Sequence, residues 1–546
     1  MFKVSCSLVL AILLATCVLT YSQTAPTGAN PRKASNVTFD RILHADQEPQ
    51  NWLTYSRTLS GERHSPLTQI TPANVPNLEL AWSWQAEQTA GVLSATPLVV
   101  DGVMYTVQAP NDVIALDAAT GRVLWKFPYA PDPRASASGG GRRPNRGLAI
   151  LDGTLFMGTL DAHLLAIDAA SGKLLWSTPV ANAVDPICQG RLCYVITHAP
   201  LVVKDKVLVG VGGSDGPTRC FLAAFDSKTG KELWRFYSVP APGEPGNETW
   251  SGDSWKTGGG GIWNTGTYDP ELNLTYWGTG NPFPPRDGRG RIGDNLYTDS
   301  VIALDADTGA MKWHYQFTPH DDQDWDATQI PVLVDVQWQG NPRKAMLFAN
   351  RNGLVYIFDR VTGEFLLGKP YVQVNWMSGF DDKGRPKRVA PPVVFAATIV
   401  QPYSATNWDP PAFSPRTGLL YVPAWERASM SGRPASGPGY STVRALDPNT
   451  GEKKWEFKLN DGWLKGVLTT ASDLLFVGST GDDYSPPEAA RLADRYFFAL
   501  DARTGDVRWR MALTGEIRSA PMSYSVDGKQ YVAVSTAQTL FTFALR

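Results

Sequence analysis

An all-β fold, an eight-bladed β-propeller with tryptophan-docking repeats, is what this sequence predicts, on three observations. A short turn motif ending in Trp recurs through most of the chain. Strand-like stretches precede most of its copies. One early strand carries no motif of its own and has its natural partners near the C-terminus.

The motif reads small or apolar residue, apolar residue, Asp, two residues, Thr or Ser, Gly, three residues, Trp. It runs from Ala115 to Trp125, Ala166 to Trp176, Ala224 to Trp234, Ala303 to Trp313, Ala445 to Trp455 and Ala499 to Trp509. A seventh copy, Ile357 to Leu367, lacks the Trp. Asp and Thr-Gly build a tight turn in which Gly is free to take positive φ, and the flanks alternate as strands. The Trp is placed to wedge against a neighbouring sheet. Strand signals ahead of the motif include Leu98 to Gln108, Leu155 to Thr159, Val202 to Gly210 and Leu474 to Gly478. Each unit is thus about four strands, a blade that cannot bury both faces alone. The strand Asn77 to Trp84 looks like the last strand of a blade whose other strands come from Gln530 to Leu545. That pairing closes the ring and raises seven motifs to eight blades; a closed ring leaves no open edge. Long insertions separate Trp234 from Trp313 and Leu367 from Trp455. On a propeller such insertions gather on one face and mark the functional side.

Composition narrows the partners. The chain has 546 residues and a net charge of −2 with no long charge run, so nucleic acid and anionic membranes are poor partners. Residues 1–22 read as a secretion signal, with Lys3 ahead of the apolar run Leu8 to Leu19, and 40–546 as the propeller domain. No later stretch approaches a membrane span, and export puts the mature chain in an oxidising compartment. Cys188, Cys193 and Cys220 remain beyond the signal. Cys188 and Cys193 are either a local disulfide, which export favours, or two buried thiols. No Cys-x-x-Cys-His occurs, so no c-type haem attaches within these residues.

The richest insertion, Trp250 to Asp326, carries Thr257-Gly-Gly-Gly-Gly-Ile-Trp263, Gly278-Thr-Gly-Asn-Pro282, Gly293-Asp-Asn-Leu296 and the acidic run Asp321, Asp322, Asp324 and Asp326. Carboxylates and an Asn carbonyl are hard oxygen ligands suited to calcium or another hard cation. Taken alone, Asp-x-Asp is more often a solvated turn than a metal site, and Trp263 more often a core aromatic than a cofactor platform.

Taken in order, Gly-Gly-Gly before a Trp, Tyr268-Asp-Pro-Glu-Leu-Asn273, Gly-Thr-Gly-Asn, Gly-Asp-Asn-Leu and Trp313-His-Tyr-Gln316 resemble the quinoprotein alcohol dehydrogenases, which use pyrroloquinoline quinone (PQQ) and a metal ion inside an eight-bladed propeller. The resemblance spans Ser65 to Val534. It implies that Asp324 is the catalytic base and that Arg351 lies beside the quinone's reactive carbonyl. Asn281 is implied as a metal ligand, with Asp215 where the family has a metal-binding Glu that also borders the cofactor. Asp326 resembles the extra carboxylate of lanthanide-using members, so the metal is a lanthanide or calcium. Trp263 is implied as the floor under the cofactor, with Arg146, Thr159, Thr197 and Asn407 at its edge and Trp463 as a further cofactor-side aromatic.

The chain departs from that pattern twice. The family's adjacent Cys pair is replaced by Gly139-Gly-Gly-Arg-Arg-Pro144, and its quinone-contacting Glu by Ser94. The resemblance implies a periplasmic enzyme that oxidises a small-molecule alcohol and passes electrons to a separate soluble cytochrome c, with a homodimer as one option. A sugar or polyol dehydrogenase of the same family and a non-catalytic propeller scaffold are the alternatives; a scaffold would lack Asn281, Asp324 and Arg351 in register.

Overall fold

The computed structural model describes residues 36–87, 91–137, 144–188, 190, 193–389, 399–427, 429–430, 433–434, 439–460, 462–480 and 495–546. The expected signal at 1–22 and the glycine-rich segment 139–143 lie outside them.

Eight sheets, each built on four antiparallel strands, form the propeller, and one of them also takes His64–Ser65 in parallel at its edge. The first blade is Leu98–Val100, Val103–Gln108, Asp112–Asp117 and Val123–Phe127. The stretch read as one strand from Leu98 is therefore a hairpin, turned at Asp101 and Gly102, which both take positive φ. The first three strands of the blade are buried and the last is half-exposed, so the core lies between blades rather than within one.

The motif works as its residues dictate. The Asp117 carboxylate accepts the N–H groups of Ala119 and Thr120 and the Thr120 hydroxyl, at 3.0, 3.1 and 3.1 Å. Gly121 sits at φ 73 with its own N–H on the Asp117 carbonyl. A Cβ at Gly121 would lie 2.5 Å from the ring of Trp82, so positive φ and close approach both require Gly. Gly172 meets Trp125, Gly230 meets Trp176, Gly309 meets Trp234, Gly363 meets Trp313 and Gly505 meets Trp455 in the same way. The docked indole donates to the carbonyl just after the motif Asp, as Trp82 does to Ala118 at 3.1 Å and Trp455 to Ala502 at 3.1 Å. Where the seventh copy lacks Trp, Leu367 fills the place over Gly451.

Closure follows the expected pairing. Leu78–Gln85 is the outer strand of the blade completed by Met522–Val526, Lys529–Ser535 and Thr539–Leu545. Its register runs from Leu78 opposite Leu545 to Gln85 opposite Thr539. The motif-free strand thus supplies Trp82, the aromatic that docks the last blade on the first.

The two long insertions meet. The hairpin of Met377–Phe380 and Pro386–Arg388 reaches the earlier insertion through Arg385, which pairs with Asp294 at 2.7 Å, and Arg388, which pairs with Asp322 at 2.8 Å. Cys188 and Cys193 form a disulfide with Cα atoms 5.6 Å apart, which resolves the two alternatives read from sequence. Cys220 is a buried free thiol. No helix among the described residues is long and apolar enough to cross a membrane.

Candidate functional site

The acidic run becomes a turn with divided duties. Asp321 is fully buried, and its two carboxylate oxygens accept the backbone N–H groups of Gln323 and Trp325, each at 2.9 Å. Trp325 is driven inward against Trp376, with its indole N–H on the Tyr403 carbonyl. Asp324 and Asp326, on either side of it, therefore project to the opposite side. Asp324 takes positive φ, 67°, an uncommon conformation for a residue with a side chain. Asp322 leaves the group to pair with Arg388.

Asp326 is the hub. It accepts Arg351 Nη1 at 2.6 Å, the indole N–H of Trp263 at 3.1 Å and the backbone N–H of Asn281 at 3.2 Å. Gly280 permits this convergence, because a Cβ there would come within 2.4 Å of the Asp326 carboxylate. Asn281 is buried, accepts the Ser214 hydroxyl at 2.9 Å and donates to the carbonyls of Ser214 and Pro282. Arg351 Nη2 also faces Asp324 at 3.8 Å, while Arg286 donates to Asp324 Oδ2 at 2.8 Å. Burial holds the Asp324 carboxyl well above the usual carboxylate range; Arg351 opposes that, Asp326 and Asp215 reinforce it, and Arg286 opposes it. Asp215 is solvent-exposed beside Ser214, and its influence on Asp324 is electrostatic. Among the described residues no three His, Cys, Asp or Glu side chains gather in metal-binding geometry.

Arg146 and Thr197 join this centre from the other side. Arg146 Nη1 donates to the Thr197 hydroxyl at 2.9 Å, and that hydroxyl donates to the Trp263 carbonyl at 3.2 Å. The Arg146 guanidinium lies between the rings of Trp263 and Trp408, 5.1 and 4.9 Å from their centroids. Lys465 continues the series, 5.1 Å from the Trp408 ring and 5.2 Å from that of Trp463. Asn407, next to Trp408, is half-buried, and its segment is tied to Arg351 through Ser404. Thr159 is not drawn in by its side chain: its hydroxyl donates to Asp161 at 2.5 Å within its own blade, and only its carbonyl, bonded to Ile196 N–H, approaches Thr197. Ser94 is buried near Arg146, whose carbonyl accepts the N–H of Thr96.

Sequence reasoning missed several members. Ser214, Trp408 and Arg286 reach the site by contacts between distant segments. Asp409 is buried with neither oxygen hydrogen-bonded, 3.7 Å from Lys465. Asp299 is likewise fully buried without a partner, and burial, then Asp321 and Asp326, push it well above the usual range. No local pattern marks either one.

The residues fit a flat, anionic cofactor and a hard cation. Trp263 offers a half-exposed indole. The buried Nε–H of Arg146 has no acceptor, and burial pushes this guanidinium down to about 10, a cation short of an anion. Asp324 feels the charges of Asp326 and Asp215, a repulsion that a cation relieves.

Comparison with known proteins agrees. The PQQ family description "Glucose/ethanol/alcohol dehydrogenase, beta-propeller domain" matches residues 52–377 and 431–532. The quinohemoprotein alcohol dehydrogenase of Comamonas testosteroni is 36% identical over 96% of this chain and 78% of its own length. The solved structure of quinohemoprotein alcohol dehydrogenase ADHIIG from Pseudomonas putida superposes with a TM-score of 0.85 at 34% identity, covering 94% of this chain and 82% of that one. A europium-containing methanol dehydrogenase superposes with a TM-score of 0.81 at 30% identity, covering 93% of this chain and 100% of that one. With the propeller, the ordered site residues and these likenesses in agreement, the chain belongs to the PQQ-dependent quinoprotein alcohol dehydrogenase family.

Proposed function

We propose that this chain oxidises a primary alcohol to the aldehyde, with Asp324 as the base. The observation that carries the reading is a buried carboxylate raised above its usual range, flanked by Arg351 and Arg286 and set beside Asp326, Asn281 and Trp263.

Asp324 takes the hydroxyl proton of the alcohol. A base raised by burial holds that proton more strongly, which matches it to chemistry nearer neutral pH. Arg351, fixed by Asp326 and by the Ser404 hydroxyl, presents its charge to the place where negative charge develops. Trp263, Arg146, Thr197, Asn407, Trp463 and the Thr159 segment would hold PQQ, and Asp215, Asn281, Asp324 and Asp326 the metal ion. When bound, the pair supplies the two-electron hydride acceptor and a Lewis acid. Export to the periplasm and a separate soluble cytochrome c as electron acceptor complete the reading, with a homodimer compatible with it.

The test is reconstitution with PQQ and calcium or lanthanum across a panel of alcohols and sugars. Primary alcohols are expected to be the better substrates. Asp324→Asn keeps the size of the side chain and removes the base, and turnover is expected to fall at least ~100-fold. Undiminished turnover in a folded, quinone-loaded Asp324→Asn protein refutes the assignment; faster oxidation of sugars than of alcohols refutes the substrate class.

A further inference from the structure

The base has a second guanidinium that its family resemblance does not supply. Arg286 Nη2 donates to Asp324 Oδ2 at 2.8 Å, and its side chain is 31% exposed, against 15% for Asp324. Arg286 therefore stands on the solvent side of the base.

Its neighbours on the same loop have structural work. Arg291 donates to Asn295 Oδ1 and to the carbonyls of Pro284 and Asp321, and Arg289 pairs with Asp287 at 2.6 Å. Arg286 is different: its Nε–H is buried without an acceptor, so a full set of structural hydrogen bonds does not explain its place. Arg351 also faces Asp324, at 3.8 Å, but its closer partner is Asp326 at 2.6 Å, so Arg286 is the cation hydrogen-bonded to the base. The loop is held at both ends, by Phe283 N–H on the Gly258 carbonyl and by the Arg291 anchor. The guanidinium is thus pre-positioned beside the reacting centre.

We propose that Arg286 makes the site select alcohols that also carry a carboxylate, pairing with that group while the hydroxyl rests on Asp324. The inference rests on the proposed function above and names its substrate class. A hydroxyl donating to Asp324 lies about 2.7 Å from the carboxylate oxygen that Arg286 also contacts. The carbinol carbon is then within roughly two hydrogen-bond lengths of the guanidinium. A carboxylate one or two carbons further along can reach the planar fork of Arg, which binds such groups bidentately. A chain with no charged end leaves the rest of that fork, beyond its bond to Asp324, unused.

The experiment uses the PQQ- and metal-loaded enzyme with three substrates: 3-hydroxypropanoate, its uncharged isostere 3-hydroxypropanamide, and 1-propanol. The wild type is expected to favour the carboxylate over the amide by about tenfold or more in kcat/KM, the scale of one charge-assisted hydrogen bond. In Arg286→Met that ratio is expected to collapse towards one, mainly through KM, and Arg286→Lys should recover part of it. The ratio is taken within one protein, so partial loss of folded or loaded enzyme cancels, and a purely structural role for Arg286 would leave it unchanged. Equal or better use of the amide by the wild type overturns the inference, as does an unchanged ratio in Arg286→Met. If the loaded enzyme oxidises the neutral alcohols but not the acid, only this inference fails. If it oxidises none of the three, the proposed function fails with it.

Discussion

His198 gives the fold a built-in sensitivity to acid. Its ring is fully buried next to Thr197, edge-on to Trp277, with Nδ1 on the Ala199 carbonyl at 2.8 Å and Nε2 receiving the Gly210 N–H at 3.0 Å. Nε2 also lies 3.1 Å from the Gly210 carbonyl, so the neutral ring finds a partner for its proton on either nitrogen. Burial lowers its pKa from 6.5 to about 4, and Arg146 adds to the effect. The unfolded chain therefore takes up a proton near pH 6.5 that the folded chain refuses until about pH 4. The stabilisation is complete above pH 6.5 and is lost as pH falls through the interval. One unit of pKa difference corresponds to about 1.4 kcal/mol, so between pH 7 and pH 5 this residue should withdraw about 2 kcal/mol. The assay is urea unfolding of the wild type and His198→Asn at pH 7 and pH 5, followed by tryptophan fluorescence. The variant loses stability at pH 7 through lost packing, but the gap between the two proteins should narrow by about 2 kcal/mol at pH 5. A gap that stays constant, or widens, refutes the reasoning.

Two further outcomes are expected. Leu367→Trp restores the missing aromatic over Gly451 and offers an indole N–H to the Pro448 carbonyl, at the place where Ala118 accepts Trp82; stability should rise by about 1 kcal/mol, read as a higher unfolding midpoint, and a lower midpoint would show that Lys369 holds that surface more favourably. Asp326 adds a carboxylate two residues past the base, and a trivalent ion gains more from it than a divalent one. Reconstitution with lanthanum should therefore give higher activity than with calcium, and Asp326→Ala should abolish that preference; a wild type that prefers calcium contradicts the argument.

The propeller was legible because its information is local. Asp, Thr-Gly and Trp lie within one hairpin, and each acts on an adjacent turn or the next blade, so the pattern survives in one dimension. Closure could be read because Leu78–Gln85 has strand chemistry and no turn of its own. The site was legible only through resemblance. Its contacts tie Ser214 to Asn281, Trp263 to Asp326 and Arg286 to Asp324, pairs far apart in the chain with no shared period. Thr159 shows the converse: its type and place matched the family, yet its hydroxyl is taken up by Asp161. Asp299 and Asp409 were invisible because a buried carboxylate has the same letter as a surface one.

The way the ring closes also sets a schedule for its assembly. Seven blades take their four antiparallel strands from one stretch of chain, one of them with His64–Ser65 added at its edge, and can form as each stretch becomes available, but Leu78–Gln85 must wait for Thr539–Leu545, the last strand of the chain. Until the whole of the intervening chain has arrived, the two strands cannot meet. Throughout that interval one early strand presents unpaired backbone groups and Trp82, an open edge able to pair with another chain. In the finished molecule Thr539–Leu545 covers one side of this strand, so its period of greatest exposure to aggregation falls before it is complete, and anything that shields this strand until the C-terminus arrives would raise the yield of closed rings.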